Sequence, residues 1–399
     1  MTAGLFFTLF AILIAFELLK GLSTNGTPPV LQKFSWQLDL AYFLWSNIVR
    51  IRTLLVLTLG IVVVLVPAAQ RSSLSFVIGG ILLALLWGFI YWLFNHYWCG
   101  RVKFLPLENP QFVAAANNQI ELSEQVIGVD HNGVQKAYPV SMVFYHHQIG
   151  DEIGGHPITV TYCGMCQSGR VYDNTVDGQR LTFQLVGAIS FNAILKDLQT
   201  GTWWRQETGE AVKGHYAGRS LGDMEMDQMS LEKWLQRHPD SQILQQDPNP
   251  AFQQKYRRFR AFMNYEASLP AWHFQEQPPL VIGLQINDHA HAYDWINLQK
   301  RRLVNDVVGD TNVVVLSSAD GSSPFAYDRM VDGELLVFEI AGDEMTDTTT
   351  QSKWDLFGRC TAGPKNGAQL RKVQIYQQFV RGWTTFHPDS TFYQFQAAA

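Results

Sequence analysis

The sequence predicts an α+β protein in which N-terminal transmembrane helices are followed by two tandem β-rich pseudo-repeats. Three observations support this prediction. The first hundred residues contain three long apolar runs, the remainder contains short alternating runs bounded by glycine-containing turns, and many residues of that remainder recur at a constant spacing. Charged residues make up only 16% of the chain, whereas an ordinary soluble protein has roughly 25%.

Composition limits the classes of function. The chain has 399 residues, and its net charge of −5 is not accompanied by a long basic stripe, so we expect no nucleic-acid partner. The short basic run at 255–260 is typical of a solvated linker face. The chain has four cysteines, of which Cys99 and Cys360 are isolated, and this excludes a disulfide-rich secreted scaffold.

Residues 1–100 are predicted to form a membrane domain with about three transmembrane helices. The apolar runs are 5–19, 53–69 and 74–94, and the third is long enough to cross a hydrocarbon core of ~30 Å. We expect the second and third runs to form a helical hairpin, and the amphipathic stretch 34–51 to lie at the membrane surface or to lengthen the second span. The count of Lys and Arg in the loops favours a cytoplasmic large domain.

The remainder divides into a first repeat at 105–240, a connector at 241–280 and a second, degenerate repeat at 281–396. An offset of 155 residues carries Val126 onto Val281 and several further residues onto identical ones. These further matches relate Ala137 and Tyr138 to Ala292 and Tyr293, Asp151 to Asp306, and Tyr172 and Asp173 to Tyr327 and Asp328. Residues common to both repeats are best explained by the scaffold, so chemistry is expected where the repeats differ.

The candidate site is a Cys-x-x-Cys pair that only the first repeat contains. Cys163 and Cys166 are matched by Ser318 and Gly321 in the second repeat. Two thiols three positions apart on a turn converge on one metal ion or form a disulfide. His146 or His147 would add an imidazole, a usual third ligand beside thiolates for zinc, copper or iron. The alternative is that the cysteines are small buried core residues and that the histidine is an ordinary hydrogen-bonded one.

Polar residues near the aromatic stretch 201–206 are candidates for substrate binding. Asn192, Arg205 and Gln206 would line a cavity and position a small partner. In the redox interpretation, His146 or Arg170 would lower the pKa of the attacking thiol.

The stretch 126–173, with its Thr-Tyr-Cys-x-x-Cys core, followed by GTWWRQETGEAV and HPDS, resembles the bacterial family called domain of unknown function 3179. The resemblance covers about residues 105–395, and the N-terminal region looks like the multi-pass membrane branch of that family. Members commonly have Trp-His-Glu where this chain has Tyr145, His146 and His147, which singles out His146. Many members look exported, and this implies an anchor in the bacterial inner membrane with a periplasmic soluble domain, against the Lys and Arg count.

Two functional hypotheses follow. The first is a membrane-anchored oxidoreductase or metal-binding protein with a metal-binding or thiol redox site at Cys163, Cys166 and His146, which serves a small-molecule or protein redox partner. Its cofactor would be a transition metal, copper or zinc. The alternative is a non-catalytic ligand- or partner-binding module in which the cysteines are structural. In both, the lipid bilayer is a partner.

Overall fold

A computed structural model describes residues 2–24, 34, 36–107, 109–268 and 279–395. It is an α+β structure with three long apolar N-terminal helices and many short strands, as the sequence predicts. Within the predicted connector, residues 269–278 lie outside the described part, as does residue 396. The chain forms two compact units. The helical unit comprises Met1–Leu105, Gln184–Arg205 and Ala211–Gly218, and the β unit comprises Pro106–Phe183, Gln206–Glu210 and Arg219–Ala399.

Of the described α-helices, three near the N-terminus and one between the two groups of strands have 19 or more residues, and the others have four to seven. The helices are α1 (Thr2–Thr24), α2 (Trp36–Leu65), α3 (Ala68–Arg71), α4 (Leu74–Trp92), α5 (Gly100–Lys103), α6 (Val140–His146), α7 (Leu231–Arg237), α8 (Pro250–Ser268), α9 (Trp295–Arg301) and α10 (Val380–Phe386). A π-helix, Leu93–Tyr97, continues α4, and a 3-10 helix covers Ala115–Asn117.

The strands fall before and after α8. Those before it are β1 (Gln111–Ala114), β2 (Gln125–His131), β3 (Val134–Pro139), β4 (Gln148–Ile153), β5 (His156–Cys163), β6 (Ser168–Asp173), β7 (Thr175–Val176), β8 (Gln179–Arg180), β9 (Phe183–Ile189), β10 (Asn192–Asp197), β11 (Trp203–Arg205), β12 (Ala211–Lys213), β13 (Gly222–Asp223), β14 (Asp227–Ser230) and β15 (Gln242–Gln245). Those after it are β16 (Leu280–Ile286), β17 (His289–Asp294), β18 (Leu303–Val308), β19 (Thr311–Ser317), β20 (Pro324–Asp328), β21 (Met330–Val331), β22 (Glu334–Leu335), β23 (Phe338–Ala341), β24 (Glu344–Asp347), β25 (Lys353–Asp355), β26 (Cys360–Ala362), β27 (Ile375–Phe379) and β28 (Thr391–Phe392).

Three helices are long and apolar enough to cross a membrane: Ala3–Thr24, Trp36–Leu65 and Leu74–Tyr97. The amphipathic stretch 34–51 lengthens the second of them, since α2 is continuous over 30 residues. Pro67 follows α2, and because proline cannot donate a backbone hydrogen bond it favours a break there. The expected hairpin of the second and third runs is not the main contact, because α1 packs against both α2 and α4.

A polar network lies inside the helical unit. Glu17 is fully buried, and Arg52 Nε donates to its Oε1 at 2.6 Å. Lys20 Nζ donates to Asn95 Oδ1 at 2.6 Å, and Asn95 sits in the π-helix that ends the third span. Polar groups buried among apolar helices are costly unless they satisfy one another. The network therefore fixes how the three helices meet.

The helical unit also carries a four-stranded sheet of order β12-β11-β10-β9. Its apolar face packs on the start of α2, where Tyr42 and Trp45 meet the Trp203 ring at 5.3 and 6.4 Å between ring centroids. Ala41 and Ile194 are buried in the same cluster. This sheet thus has its core on α2.

The β unit contains the remaining larger sheets. Their orders are β1-β15-β3-β2-β14, β13-β6-β5-β4, β27-β16-β17-β28, β18-β19-β20 and β23-β24-β25-β26. Within the described residues of this unit, the pairings are antiparallel except β15 with β3 and β28 with β17. Both exceptions are short strands that follow a helix; β28 lies at the edge of its sheet, and β15 lies between β3 and β1.

Elements occur in the same order on the two sides of α8, and matched positions make the same contacts. Tyr138 Oη donates to Asp151 Oδ2 at 2.7 Å, and Tyr293 Oη donates to Asp306 Oδ2 at 2.9 Å. Each side also has a tryptophan that donates its Nε1 proton to an aspartate seven positions earlier: Trp204 to Asp197 at 2.9 Å, and Trp354 to Asp347 at 3.0 Å. These residues hold the frame, as expected for positions common to both sides.

The described part of the predicted connector forms regular secondary structure. It contributes β15, which pairs with β1 and β3, and the helix α8. Tyr256 of α8 donates its hydroxyl to Ser141 Oγ at 2.8 Å, and Phe259 packs on Phe144 at 5.2 Å. The basic residues of 255–260 are exposed, which agrees with a solvated face.

Candidate functional site

Cys163 and Cys166 lie in the tight turn between β5 and β6. Cys163 ends β5 and pairs with Ser168, which begins β6. Gln167 adopts a left-handed φ of 52° that returns the chain to the sheet. Gly164 is required in this turn, because a Cβ there would collide with the Phe144 ring. Both cysteines are free thiols and buried.

Cys166 is held by hydrogen bonds within the turn. Its Sγ donates to the Cys163 carbonyl oxygen at 3.8 Å and lies 3.2 Å from Ser168 Oγ. Burial raises the pKa of Cys166 above its ordinary value, and the neighbouring Cys163 and the charge of Glu207 raise it further, while the Ser168 hydrogen bond lowers it. Cys166 is therefore a protonated thiol at neutral pH.

The Gln206 side chain holds the turn through hydrogen bonds to both strands. Its Nε2 donates to Thr161 Oγ1 at 3.0 Å and to the Ser168 carbonyl oxygen at 3.1 Å. In return, Ser168 Oγ donates to Gln206 Oε1 at 3.2 Å. Gln206 is fully buried, so this amide and the Ser168 hydroxyl form a closed polar layer under Cys166.

A buried ion pair adjoins this layer. Arg170 Nη2 lies 2.5 Å from Glu207 Oε1, with side chains 6% and 0% exposed. The Arg170 guanidinium also stacks on the Tyr376 ring at 3.5 Å, and Tyr376 Oη donates to Asp223 Oδ2 at 2.8 Å. The thiol site is thus bordered by the Arg170–Glu207 ion pair, and both charged side chains are shielded from water.

Residues after α8 complete the walls around the turn. The Phe379 backbone N–H donates to the Cys166 carbonyl oxygen at 2.8 Å. Gly382 of α10 lies so close to Cys166 that a Cβ on it would be 2.8 Å from the Cys166 Cβ. Gln378 is fully buried beside them, and neither atom of its amide has a hydrogen-bond partner within the described residues. Both sides of the β unit therefore contribute to the thiol site.

His146 ends α6 and faces α8. Its ring packs on Tyr145 at 5.0 Å and on Phe252 at 5.3 Å, and it lines a small cavity of about 10 Å³ together with Met142 and Tyr256. In the described part of the chain, no group of three or more His, Cys, Asp or Glu side chains is arranged to hold a metal ion. The set of His146, Cys163 and Cys166 is thus not assembled as a three-ligand centre there.

His147 follows in a left-handed conformation, with φ of 62°. Burial lowers its pKa to about 4, since the charged ring would be desolvated. The His147 ring is neutral at physiological pH and stacks on Phe144 at 5.9 Å.

The three predicted substrate-binding residues separate. Gln206 joins the thiol site, whereas Asn192 on β10 and Arg205 on β11 belong to the helical unit. The sequence interpretation missed Thr161, Ser168, Glu207, Tyr376 and Gln378. A residue-by-residue comparison at the offset of 155 would have identified Thr161, because that offset carries it onto the apolar Leu316.

The sequence model of the family described as "Protein of unknown function (DUF3179)" matches residues 105–390. The chain belongs to this family. The matched region includes the whole thiol site of this DUF3179 chain and the elements on both sides of α8. A search of curated proteins and a search of solved structures found no match.

Proposed function

We propose that this DUF3179 chain is a membrane-anchored thiol oxidoreductase in which Cys163 and Cys166 form a dithiol–disulfide couple. The observation that carries the proposal is that two free, buried thiols lie in one tight turn, where Cys166 Sγ donates to the Cys163 carbonyl oxygen at 3.8 Å. Oxidation would form one S–S bond, and the two electrons and two protons would pass to a disulfide of a small molecule or protein, which leaves as two thiols.

The turn also supplies a route for the partner. The thiolate is the nucleophile in disulfide exchange, so a buried and protonated Cys166 reacts slowly until the turn opens. Met165, between the cysteines, is 41% exposed. A partner disulfide would therefore approach at Met165.

A metal site is the second candidate, and two soft thiolates favour copper(I), with zinc next. A non-catalytic binding module with structural cysteines is the candidate from another class. A metal site predicts a stoichiometric copper or zinc ion on the thiols, and a binding module predicts thiols that stay inert in redox buffers.

We further propose that the two runs of elements arose by internal duplication, and that the three apolar helices cross the bacterial inner membrane with the β unit in the periplasm. Matched contacts such as the Tyr138–Asp151 and Tyr293–Asp306 hydrogen bonds support the duplication. The resemblance to exported proteins supports the periplasmic side. A reporter fused after residue 395 tests it, since a fusion active only in the cytoplasm would place the β unit there.

The test of the couple uses the full chain in detergent, equilibrated in dithiothreitol redox buffers. Peptide mass spectrometry would count the disulfide between Cys163 and Cys166, with Cys99 and Cys360 as buried internal controls, and element analysis of the same sample would measure copper and zinc. We expect a reversible two-electron transition and less than one metal ion per chain. A stoichiometric metal would favour the metal site, and thiols inert throughout would favour the binding module.

Replacing Cys163 and Cys166 together by serine should abolish the transition without unfolding the protein. The matched Ser318 and Gly321 lie in the turn of the corresponding hairpin, between β19 and β20, which indicates that the frame accepts such residues. Global unfolding of this double variant would mean that the thiols serve the fold rather than a reaction.

A further inference from the structure

The polar side chains that hold Ser168 and its turn have apolar matches on the other side of α8, whereas Ser168 itself is matched by the buried Ser323. Tyr172 Oη donates to the Gln206 carbonyl oxygen at 2.9 Å, and Tyr327 Oη donates to the Leu356 carbonyl oxygen at 2.7 Å. This shared hydrogen bond matches Leu356 with Gln206. The strand registers likewise match the pair Leu316 and Phe325 with Thr161 and Arg170.

The ion pair also has an apolar equivalent. Phe325 packs against Phe357 with ring centroids 5.9 Å apart, where the first half has Arg170 against Glu207. Leu316, Phe325 and Leu356 are all buried in one core cluster. The same frame is therefore built without any of these polar groups.

Keeping a buried ion pair where packed apolar residues suffice has a cost. Replacing such a pair by well-packed hydrophobic residues is often neutral or stabilising, since both charges lose their hydration. The scaffold does not explain the presence of Arg170 and Glu207. Their position explains it. Glu207 follows Gln206 in the chain, and its ion pair with Arg170 attaches residues 206–207 to β6.

We propose that Arg170, Glu207 and Gln206 are positioning residues of the thiol couple. The ion pair fixes residues 206–207 against β6, Gln206 holds Ser168 through two hydrogen bonds, and Ser168 Oγ is thereby kept 3.2 Å from Cys166 Sγ. This inference rests on the proposed function. In chemical terms, the layer stabilises the dithiol form relative to the disulfide.

The test uses variants that copy the apolar side of the molecule. Gln206→Leu copies Leu356, and the double variant Arg170→Phe, Glu207→Phe copies the Phe325–Phe357 pair. Each is made in the full chain, and the dithiothreitol equilibrium constant of the Cys163–Cys166 disulfide is measured at neutral pH. Tyr327→Phe is the matched control, since it removes a frame hydrogen bond far along the chain from the thiols.

Both variants should shift the equilibrium about tenfold towards the disulfide, which for a two-electron couple is about 30 mV. The reduced form loses the aligned Ser168 hydroxyl, whereas the disulfide has less need of it. The double variant should unfold at the same temperature as the parent or higher. Tyr327→Phe should lower the unfolding temperature and leave the equilibrium constant unchanged.

An equilibrium constant within twofold of the parent in both folded variants would overturn the proposal. If the double variant does not fold, Gln206→Leu alone decides, because its constant either shifts or does not. If the parent never forms the disulfide, the proposed function fails separately. The positioning role is then read from the pH profile of Cys166 alkylation, which Gln206→Leu must displace if the role is real.

Discussion

Individual residues in this protein can be sorted into frame and site by comparing the two halves of the β-rich part. Tyr172 and Tyr327 make the same hydrogen bond to a backbone carbonyl, so they serve the frame. Cys166 has no thiol match, and Gln206, which holds the neighbouring Ser168, is matched by the apolar Leu356. A buried polar group without an equivalent in the other half is the best indicator of chemistry in this chain.

His147 gives a pH prediction at the same scale. Its folded pKa is lowered to about 4 by burial, against about 6.5 in an unfolded chain. A lowered pKa means that the neutral ring stabilises the fold above pH ~6.5 and that this contribution is lost as the pH falls towards ~4, a total of about 3 kcal/mol. The variant His147→Asn, which tolerates the left-handed conformation, should lose that part of the pH dependence. Chemical unfolding between neutral and acidic pH measures it.

The matched control is His289→Asn, at an exposed histidine. It should leave the pH dependence unchanged. Equal acid sensitivity of His147→Asn and the parent would show that His147 is not the group that titrates.

At the scale of elements, the packing of helices on the sheets depends on close approach. The indole of Trp234 in α7 lies directly over Gly128 of β2, and that of Trp383 in α10 lies over Gly283 of β16. Gly128→Ala would drive a Cβ into the indole and should cost about 1–3 kcal/mol by overpacking. The matched control is Gly150→Ala, because a Cβ at Gly150 meets open space. Gly133→Ala is unsuitable, because Gly133 has a φ of +76°. Equal unfolding temperatures of the Gly128→Ala and Gly150→Ala variants would contradict this packing account.

The helical unit depends on the Glu17–Arg52 ion pair, which joins α1 to α2 at 2.6 Å. Glu17→Leu alone would leave the Arg52 charge without its carboxylate partner and should destabilise the unit by about 3–5 kcal/mol. Adding Arg52→Leu should recover most of the loss, since no buried charge then remains unpaired. Thermal unfolding in detergent of the two single variants and the double variant gives the coupling. Additive losses would mean that the pair contributes nothing as a pair.

For the whole molecule, the sequence predicts the class of fold and the location of the thiols, but not the surroundings of the thiols. Apolar runs and constant spacings depend on local pattern, so three helices and an α+β fold were predictable. Gln378 and Gly382 come to Cys166 from more than 200 positions away along the chain, and no periodicity in the sequence encodes that approach. The sequence also does not predict that α1 packs against α4. The short connection between α2 and α4 favours a contact between those two helices instead.

The division into units yields a prediction about which piece of the chain folds. A soluble fragment that begins at residue 106 would keep the strands β9–β12 but lose α2, on which their apolar face packs through Trp203 and Ala41. The exposed aromatic face should lower the unfolding temperature of the fragment below that of the full chain, and the fragment in detergent-free buffer should bind a hydrophobic dye. A fragment that unfolds at the same temperature as the full chain without binding dye would contradict this. Until then, redox and metal measurements belong on the full chain, because a poorly packed β11 would also displace Gln206, the residue that follows it.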